Sequence, residues 1–207
     1  MAYSTEQENF WAGEFGDSYV DRSSDSSFIA SDIALFARVL RRTSGITSAL
    51  EFGANVGLNL IALRNLHPQI ALSAIEINSR AVLALNKIPN VEVFEQSLLT
   101  FEPSRKWDFV FTKGVLIHLA PSSLERAYKA LFESSCRYIC VAEYYNPAPV
   151  EVSYRGNEER LFKRDFAGEL MERFTSLKLV DYGFVYRRDN NFRQDDLTWF
   201  LLEKSPG

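Results

Sequence analysis

The sequence predicts an α/β protein with a Rossmann-like, doubly wound sheet of seven strands, mostly parallel with an antiparallel edge strand, and an N-terminal helical cap. Three observations predict it. An apolar strand passes through a glycine turn at residues 53–57 into a helical pattern, strand and helix patterns alternate from residue 46, and the last two strand patterns follow each other without a helix between them. Alternating strands and helices favour a parallel sheet, whereas a direct connection at residues 187–194 implies an antiparallel hairpin at one edge.

Residues 1–45 are predicted to form the helical cap, and residues 46–207 the sheet domain. Thr5 and Glu8 have the spacing of a capping box, which predicts a first helix over about residues 5–20. A polar, serine-rich stretch follows, and then apolar residues at helical spacing predict a second helix that ends near Arg42. The first helix carries four aromatic residues, which could exclude water as a lid over the site or simply pack on the sheet: Phe10, Trp11, Phe15 and Tyr19.

Apolar runs separated by helical patterns give the elements of the sheet domain. Strands are predicted near residues 47–53, 70–76, 91–95, 107–112, 136–143, 178–186 and 196–203. Helices are predicted near residues 57–66, 79–87, 122–135 and 163–175.

Composition excludes several classes of protein. The chain has 207 residues, of which 46% are hydrophobic and 24% charged, values that are ordinary for a globular domain. Its net charge of −4 disfavours a nucleic-acid partner, which normally requires a basic face. The N-terminus is polar, and no apolar run approaches the ~18 residues needed to cross a bilayer. We therefore expect a cytoplasmic protein with a small-molecule substrate and no membrane partner, whose oligomeric state the sequence does not define.

The two cysteines, Cys136 and Cys140, lie four residues apart on a predicted strand. At ~3.3 Å per residue their Cα atoms would be roughly 13 Å apart, too far for a disulfide. We expect both to be buried as small hydrophobic side chains.

The glycine turn is the first candidate ligand site. Gly53 and Gly57 would let the backbone approach a ligand, because neither carries a Cβ. The spacing departs from the dinucleotide fingerprint, since Asn55 stands where a central glycine might be. Glu51 before the turn disfavours a pyrophosphate and favours a cationic or hydroxyl-rich ligand. An ordinary tight turn between a strand and a helix remains the alternative.

Glu76 strengthens the ligand interpretation. It ends the second apolar run, 19 residues after Gly57. An acidic residue at this position is placed to accept both ribose hydroxyls of a nucleoside bound at the edge of a doubly wound sheet.

These motifs resemble those of the class I S-adenosylmethionine-dependent methyltransferases. Residues 51–57 are similar to the family's first motif, Glu76 to its second, and residues 107–111 with 114–119 to its fourth. A narrower resemblance is to the methylases associated with pseudaminic acid biosynthesis, which are linked to nine-carbon amino sugars. It is carried by residues 10–16, 51–59, 113–118 and 143–147.

The resemblance implies S-adenosyl-L-methionine as the cofactor and assigns its contacts. The methionine half would lie near Glu51, Gly53, Asn55 and Gly57, and the ribose near Glu76. The adenine would lie near Gln96 and Ser97, and Lys113 would be a further cofactor contact. Many relatives have an acidic residue where this chain has Gln96, so a plain loop is the alternative there.

Two residues could remove a proton from the acceptor. His118 follows the fourth strand and Glu143 ends the fifth, both at the carboxyl edge where α/β sheets bind ligands. The alternative for His118 is a place in the cofactor pocket or in local packing. Candidate acceptor contacts are Trp11, Tyr19, Tyr144, Tyr145 and Arg155.

Residues 150–164 have no clear periodicity and are charged, which fits either a substrate loop or a solvated loop. No cluster of histidines and cysteines indicates a metal site. The resemblance therefore implies methyl transfer to an oxygen or nitrogen of a small polar acceptor, and its narrower form implies an amino sugar or nucleotide sugar. The alternatives are a nicotinamide-dependent oxidoreductase, disfavoured by Glu51, a non-catalytic nucleoside-binding or regulatory protein of the same fold, and a tRNA or protein methylase.

Overall fold

A computed structural model describes residues 3–23, 25–154, 156 and 160–205. The strands are β1 (Ser48–Phe52), β2 (Ala71–Glu76), β3 (Val91–Glu95), β4 (Trp107–Lys113), β5 (Ser135–Glu143), β6 (Val150–Glu151), β7 (Phe162–Lys163), β8 (Leu177–Val185) and β9 (Leu197–Lys204). The α-helices are α1 (Glu6–Ala12), α2 (Glu14–Arg22), α3 (Phe28–Leu40), α4 (Leu58–Leu66), α5 (Ser79–Leu85), α6 (Leu124–Ser134) and α7 (Phe166–Arg173).

The described residues form a seven-stranded sheet in the order β3-β2-β1-β4-β5-β9-β8. Strands β1 to β5 pair in parallel, whereas β9 is antiparallel to both β5 and β8. This arrangement confirms the predicted fold, including the hairpin at one edge. The chain order reverses between β1 and β4, and ligands of open α/β sheets bind at the carboxyl ends of the strands beside such a reversal.

Apolar side chains form two core clusters, one on each face of the sheet. Helices α3 and α4 contribute to one cluster and α6 and α7 to the other. Because both faces are covered, the strands can be apolar almost throughout, as in β1, where every residue after Ser48 is buried. No helix in the described parts of the chain is long and apolar enough to cross a membrane.

The first predicted helix is in fact two. The capping box of Thr5 and Glu8 is present, but the helix ends at Gly13, whose backbone is extended, and α2 begins directly after it. A Cβ at position 13 would lie 2.9 Å from the carbonyl oxygen of Asn9. Helical spacing of the aromatic residues continued across the break, so periodicity alone did not reveal it.

The prediction for the cysteines is wrong for Cys136, which is exposed, whereas Cys140 is buried. The cause is an irregularity in pairing. Trp107 of β4 lies opposite Ser135, but Phe109 lies opposite Tyr138, so β5 contains one extra residue between these pairs. Such a bulge interrupts the alternation of side chains along a strand.

Candidate functional site

A cavity of about 1010 Å³ lies at the carboxyl edge of the sheet. Its walls come from the segments that follow β1, β2, β3 and β4, from α1, α2 and α3, and from the connection between β8 and β9. A volume near 1,000 Å³ suits a ligand of cofactor size together with a small second molecule.

A buried polar network lies at the end of β1. Glu51 is 1% exposed, and its Oε1 accepts a hydrogen bond from Asn59 Nδ2 at 2.6 Å. Lys113 donates to Asn59 Oδ1 at 3.2 Å and to the buried Asp32 of α3. Burial raises the pKa of Glu51 well above its usual value, and Asn59 and Lys113 oppose this change only in part.

The second oxygen of Glu51, Oε2, is buried and has no hydrogen-bond partner among the described residues. Buried polar atoms without partners are rare in folded proteins. This oxygen therefore has unused hydrogen-bonding capacity, although Glu51 itself is not one of the residues that line the cavity.

The glycine turn is constrained by its backbone and its packing. Gly53 and Gly57 have φ angles of +73° and +83°, in the left-handed region that favours glycine. A Cβ on Gly53 would lie 2.6 Å from Val115 Cγ2, and one on Gly57 would lie 2.5 Å from Ile88 Cδ1. Gly53 lines the cavity, but Gly57 is buried behind it. Packing is thus sufficient reason for the glycine at position 57.

Glu76 is held by the backbone on three sides. Its Oε2 accepts from the N–H of Asn55 at 2.7 Å, and its Oε1 accepts from the N–H groups of Ile77 and Asn78 at 2.8 Å each. Burial raises the pKa of Glu76, while these hydrogen bonds act in the opposite direction. The carboxylate therefore fixes the turns after β1 and β2 relative to each other, and it retains lone-pair capacity toward the cavity that it lines. The position of Glu76 in the sequence predicts a role toward a ligand, but it does not indicate this structural role.

The residues predicted at the adenine end also line the cavity. Gln96 donates its backbone N–H to the carbonyl of Glu76 at 3.0 Å, and Ser97 Oγ accepts from the N–H of Leu99 at 3.1 Å. Glu8 of α1 hydrogen-bonds to Ser97. The first helix thus reaches the segment after β3.

His118 lies in a short 3-10 turn (Leu116–His118) and is enclosed by aromatic rings. Its ring lies 4.6 Å from that of Trp11 and 4.8 Å from that of Tyr154, centroid to centroid, and Nδ1 lies 2.6 Å from the carbonyl oxygen of Arg160. Burial lowers the pKa of His118 to about 4, outweighing the hydrogen bond. The ring is then neutral at pH 7 and a weak base. Because His118 also lines the cavity, the geometry favours the alternative, a place in the pocket wall or in local packing, over a role as general base.

This environment predicts a pH effect on stability. The unfolded chain binds a proton at His118 near pH 6.5, but the folded protein does so only near pH 4, so the unfolding free energy falls as the pH falls through this window. Replacing His118 with Asn should remove about 3 kcal/mol of the loss in stability between pH 7 and pH 4. Urea denaturation of both proteins across this range measures it. The same pH dependence in both proteins would show that His118 is not the group responsible.

Glu143 is also anchored by the backbone. Its Oε1 accepts from the N–H groups of Val115 and Leu116 at 3.0 and 3.1 Å and from Thr112, and Oε2 faces the N–H of Ile117 at 3.4 Å. Burial raises its pKa to about 7. Glu143 does not line the cavity. In this structure it holds the segment after β4, and the predicted role as a base that faces the acceptor has no geometric support.

The predicted acceptor contacts divide into two groups. Trp11, Tyr19 and Tyr144 line the cavity. Tyr145 does not line it, is 40% exposed and packs on Phe200, so the expected acceptor contact does not hold there. Tyr144 and Tyr145 are consecutive residues, and consecutive side chains on an extended chain point to opposite sides, so only one of the two faces the cavity. Arg155 lies outside the described residues.

Comparison with known proteins identifies the fold. No family model matches the chain. The structure of 1,6-didemethyltoxoflavin-N1-methyltransferase from Burkholderia thailandensis, with bound 1,6-didemethyltoxoflavin and S-adenosylhomocysteine, is similar with a TM-score of 0.73 and 14% identity, covering 100% of this chain and 92% of that one. Magnesium protoporphyrin IX methyltransferase from Synechocystis PCC 6803, with bound S-adenosylmethionine, is similar with a TM-score of 0.68 and 12% identity, covering 99% of this chain and 100% of that one. The fold is that of S-adenosylmethionine-dependent methyltransferases.

A curated relative matches over a shorter region. The tRNA1(Val) (adenine(37)-N6)-methyltransferase of Pseudoalteromonas translucida (strain TAC 125) is 30% identical over 73 residues, which are 32% of this chain. The match spans only 32% of that relative's length.

Within this methyltransferase fold, the cavity is also lined by polar residues that were not predicted from the sequence, among them Asp32, Asn59 and Asp195. Asp32 is an isolated acid among apolar residues of α3, which was a usable signal. Asn59 lies two residues after Gly57, at the start of α4. Asp195 lies in a connection without periodicity, so nothing in the sequence distinguished it. No group of three or more acidic, histidine or cysteine residues in the described parts of the chain could hold a metal ion.

Proposed function

We propose that this protein transfers a methyl group from S-adenosylmethionine to an oxygen or nitrogen of a small polar acceptor of the amino-sugar or nucleotide-sugar class. The observation that carries the proposal is the pair of carboxylates at the point where the sheet reverses. Glu51 has an unpaired buried oxygen, and Glu76 lines the cavity at the end of the adjacent strand.

The residues present fit this cofactor. Glu51 would satisfy the ammonium of the methionine half, Gly53 and Asn55 would lie along it, and Lys113 would meet its carboxylate. Glu76 would accept the ribose hydroxyls, and Gln96 and Ser97 would meet the adenine, all from positions at one edge of the sheet.

S-adenosylmethionine supplies a methyl group on a sulfonium, so the transfer is intrinsically favourable once the acceptor is aligned. The remaining tasks of the chain are to orient the acceptor, exclude water and accept a proton. The aromatic residues of the cavity, with Trp11 against His118 at one wall, suit the second task.

The N-terminal segment, residues 1–45, is proposed to act as a cap over the sheet domain of residues 46–207. Trp11 and Tyr19 line the cavity, and the backbone carbonyl of Trp11 accepts a hydrogen bond from Asn78 Nδ2 at 3.2 Å. These contacts support a cap that closes the cavity from one side.

The acceptor class rests on two arguments. The net charge of −4 disfavours a nucleic-acid substrate despite the partial similarity to a tRNA methylase. The motifs at residues 10–16, 51–59, 113–118 and 143–147 resemble those of methylases linked to amino-sugar biosynthesis.

The test has two parts. Calorimetry should show S-adenosylhomocysteine binding at micromolar affinity or better and NAD not binding. Mass spectrometry should then detect S-adenosylhomocysteine and a methylated product with amino sugars or nucleotide sugars but not with tRNA. Binding without any product from such a panel would favour the non-catalytic alternative, and NAD binding would overturn the cofactor assignment.

A further inference from the structure

Four carboxylates line the cavity in the described parts of the chain: Glu8, Asp32, Glu76 and Asp195. Three of them form hydrogen bonds or an ion pair with buried or capping groups of the protein itself. Glu8 closes the capping box of α1, Asp32 pairs with Lys113, and Glu76 accepts three backbone hydrogen bonds. Asp195 is different because it is exposed and has a single side-chain partner.

That partner orients Asp195 toward the cavity wall. The hydroxyl of Tyr144 donates to Asp195 Oδ2 at 2.9 Å, and Tyr144 also lines the cavity. Burial and the adjacent charge of Asp195 raise the pKa of Tyr144, so the phenol stays protonated and keeps donating. The other oxygen, Oδ1, has no partner within the described residues, and it can accept a proton or a hydrogen bond from a ligand.

The surroundings of Asp195 suit a polar acceptor. Tyr19 and Tyr154 are near enough to Tyr144 to influence its ionisation, and both line the cavity. Arg187 and Arg193 line it from the same β8–β9 connection as Asp195. This end of the cavity therefore contains phenols and charged groups, whereas Glu76, at the proposed cofactor-binding end, lies on β2, which β1, β4 and β5 separate from β9.

The two bases predicted from sequence are poorly suited to the task. His118 has a pKa of about 4 and an Nδ1 committed to a carbonyl, and Glu143 lies outside the cavity lining. Asp195, in contrast, lines the cavity, is exposed, and keeps Oδ1 without a partner among the described residues, so this oxygen can accept from an acceptor molecule.

We infer that Asp195, positioned by Tyr144, faces the acceptor atom and takes its proton, an inference that rests on the proposed function. As the lone pair of the acceptor oxygen or nitrogen forms its bond to the methyl carbon, the electrons of the carbon–sulfur bond pass to sulfur. The proton of the acceptor atom passes to Asp195 Oδ1. Charge is balanced because a sulfonium and a carboxylate become a neutral thioether and a carboxylic acid.

Sinefungin tests this placement without knowledge of the acceptor. In sinefungin a carbon that bears a primary amine replaces the methylated sulfonium, so its ammonium projects to the place from which the methyl group leaves. The wild-type protein should bind sinefungin more tightly than S-adenosylhomocysteine. Asp195→Asn should weaken sinefungin binding about tenfold and leave S-adenosylhomocysteine binding unchanged, because a charge-assisted hydrogen bond is lost.

Asp196→Asn is the matched control. Asp196 is the adjacent carboxylate, pairs with Arg187 at 3.5 Å and does not line the cavity. It should leave the ratio of the two affinities unchanged. A ratio that does not change in Asp195→Asn, or that changes equally in both variants, would overturn the inference. Failure of the wild-type protein to bind S-adenosylhomocysteine would instead overturn the proposed function.

Discussion

Deleting residues 1–22 should abolish methyl transfer while the sheet domain remains folded. The deleted helices contribute seven residues to the cavity wall: Gln7, Glu8, Trp11, Gly16, Tyr19, Val20 and Arg22. Without them water would enter the site, and the acceptor would lose the surface against which it is oriented. Neither core cluster contains a residue from the deleted segment, so both keep all of their members.

Turnover measured by release of S-adenosylhomocysteine should fall by at least about 10²-fold, since positioning effects of this size are common. Cooperative urea unfolding, with a far-ultraviolet circular dichroism spectrum that loses only the contribution of the two deleted helices, would show that the domain is folded. Full activity in the shortened protein would rule out the cap.

Trp11→Ala gives a second measurement that does not depend on the truncated protein folding. The Trp11 ring contacts His118 and Tyr19, and its Nε1 is buried without a partner among the described residues. A cap that only packs on the sheet would lose stability in this variant and keep its turnover number. A cap that closes the site would lose turnover as well.

The sheet was predictable because strands that are buried on both faces require continuous runs of apolar residues, and such runs are visible in the sequence. The predicted bounds of β1 and β2 lie within one residue of those observed. Apolar spacing did not predict two local features, each of which depends on a single residue. The extra residue in β5 that exposes Cys136 and the break at Gly13 depend on local backbone geometry, which apolar spacing does not record.

The site was predictable where a motif fixes residue type and position, and less so where tertiary contacts decide the role. Glu51 and Glu76 were predicted from their distance to the glycine turn; in the structure Glu76 lines the cavity, and Glu51 is buried at the end of the adjacent strand without lining it. Glu143 was also predicted at a strand end. In the structure it accepts hydrogen bonds from three backbone N–H groups of the segment that follows β4, residues 115–117. These contacts depend on the pairing of β4 with β5, which the sequence pattern does not show. Asp195 could not be found, because the partner that positions it, Tyr144, is distant in the sequence.

Glu76→Ala should both destabilise the protein and weaken cofactor binding. The N–H groups of Asn55, Ile77 and Asn78 would lose their acceptor at once, and the unfolding free energy should fall by about 3–5 kcal/mol. Removing the acceptor for the ribose hydroxyls should also weaken S-adenosylhomocysteine binding by about 1–3 kcal/mol. Urea denaturation and calorimetry measure the two effects separately.

Glu76→Gln separates the structural role from the ligand role, because the amide keeps one oxygen for the backbone N–H groups but loses the charge. Its stability should lie between those of the wild-type protein and Glu76→Ala, and its affinity for S-adenosylhomocysteine should still fall by about tenfold. Glu95→Ala is the control, since Glu95 lies opposite Glu76 on β3, is exposed and does not line the cavity. If folded Glu76→Gln binds S-adenosylhomocysteine as the wild-type protein does, Glu76 serves only to hold the two turns together, and the ribose must be bound by other groups of the cavity.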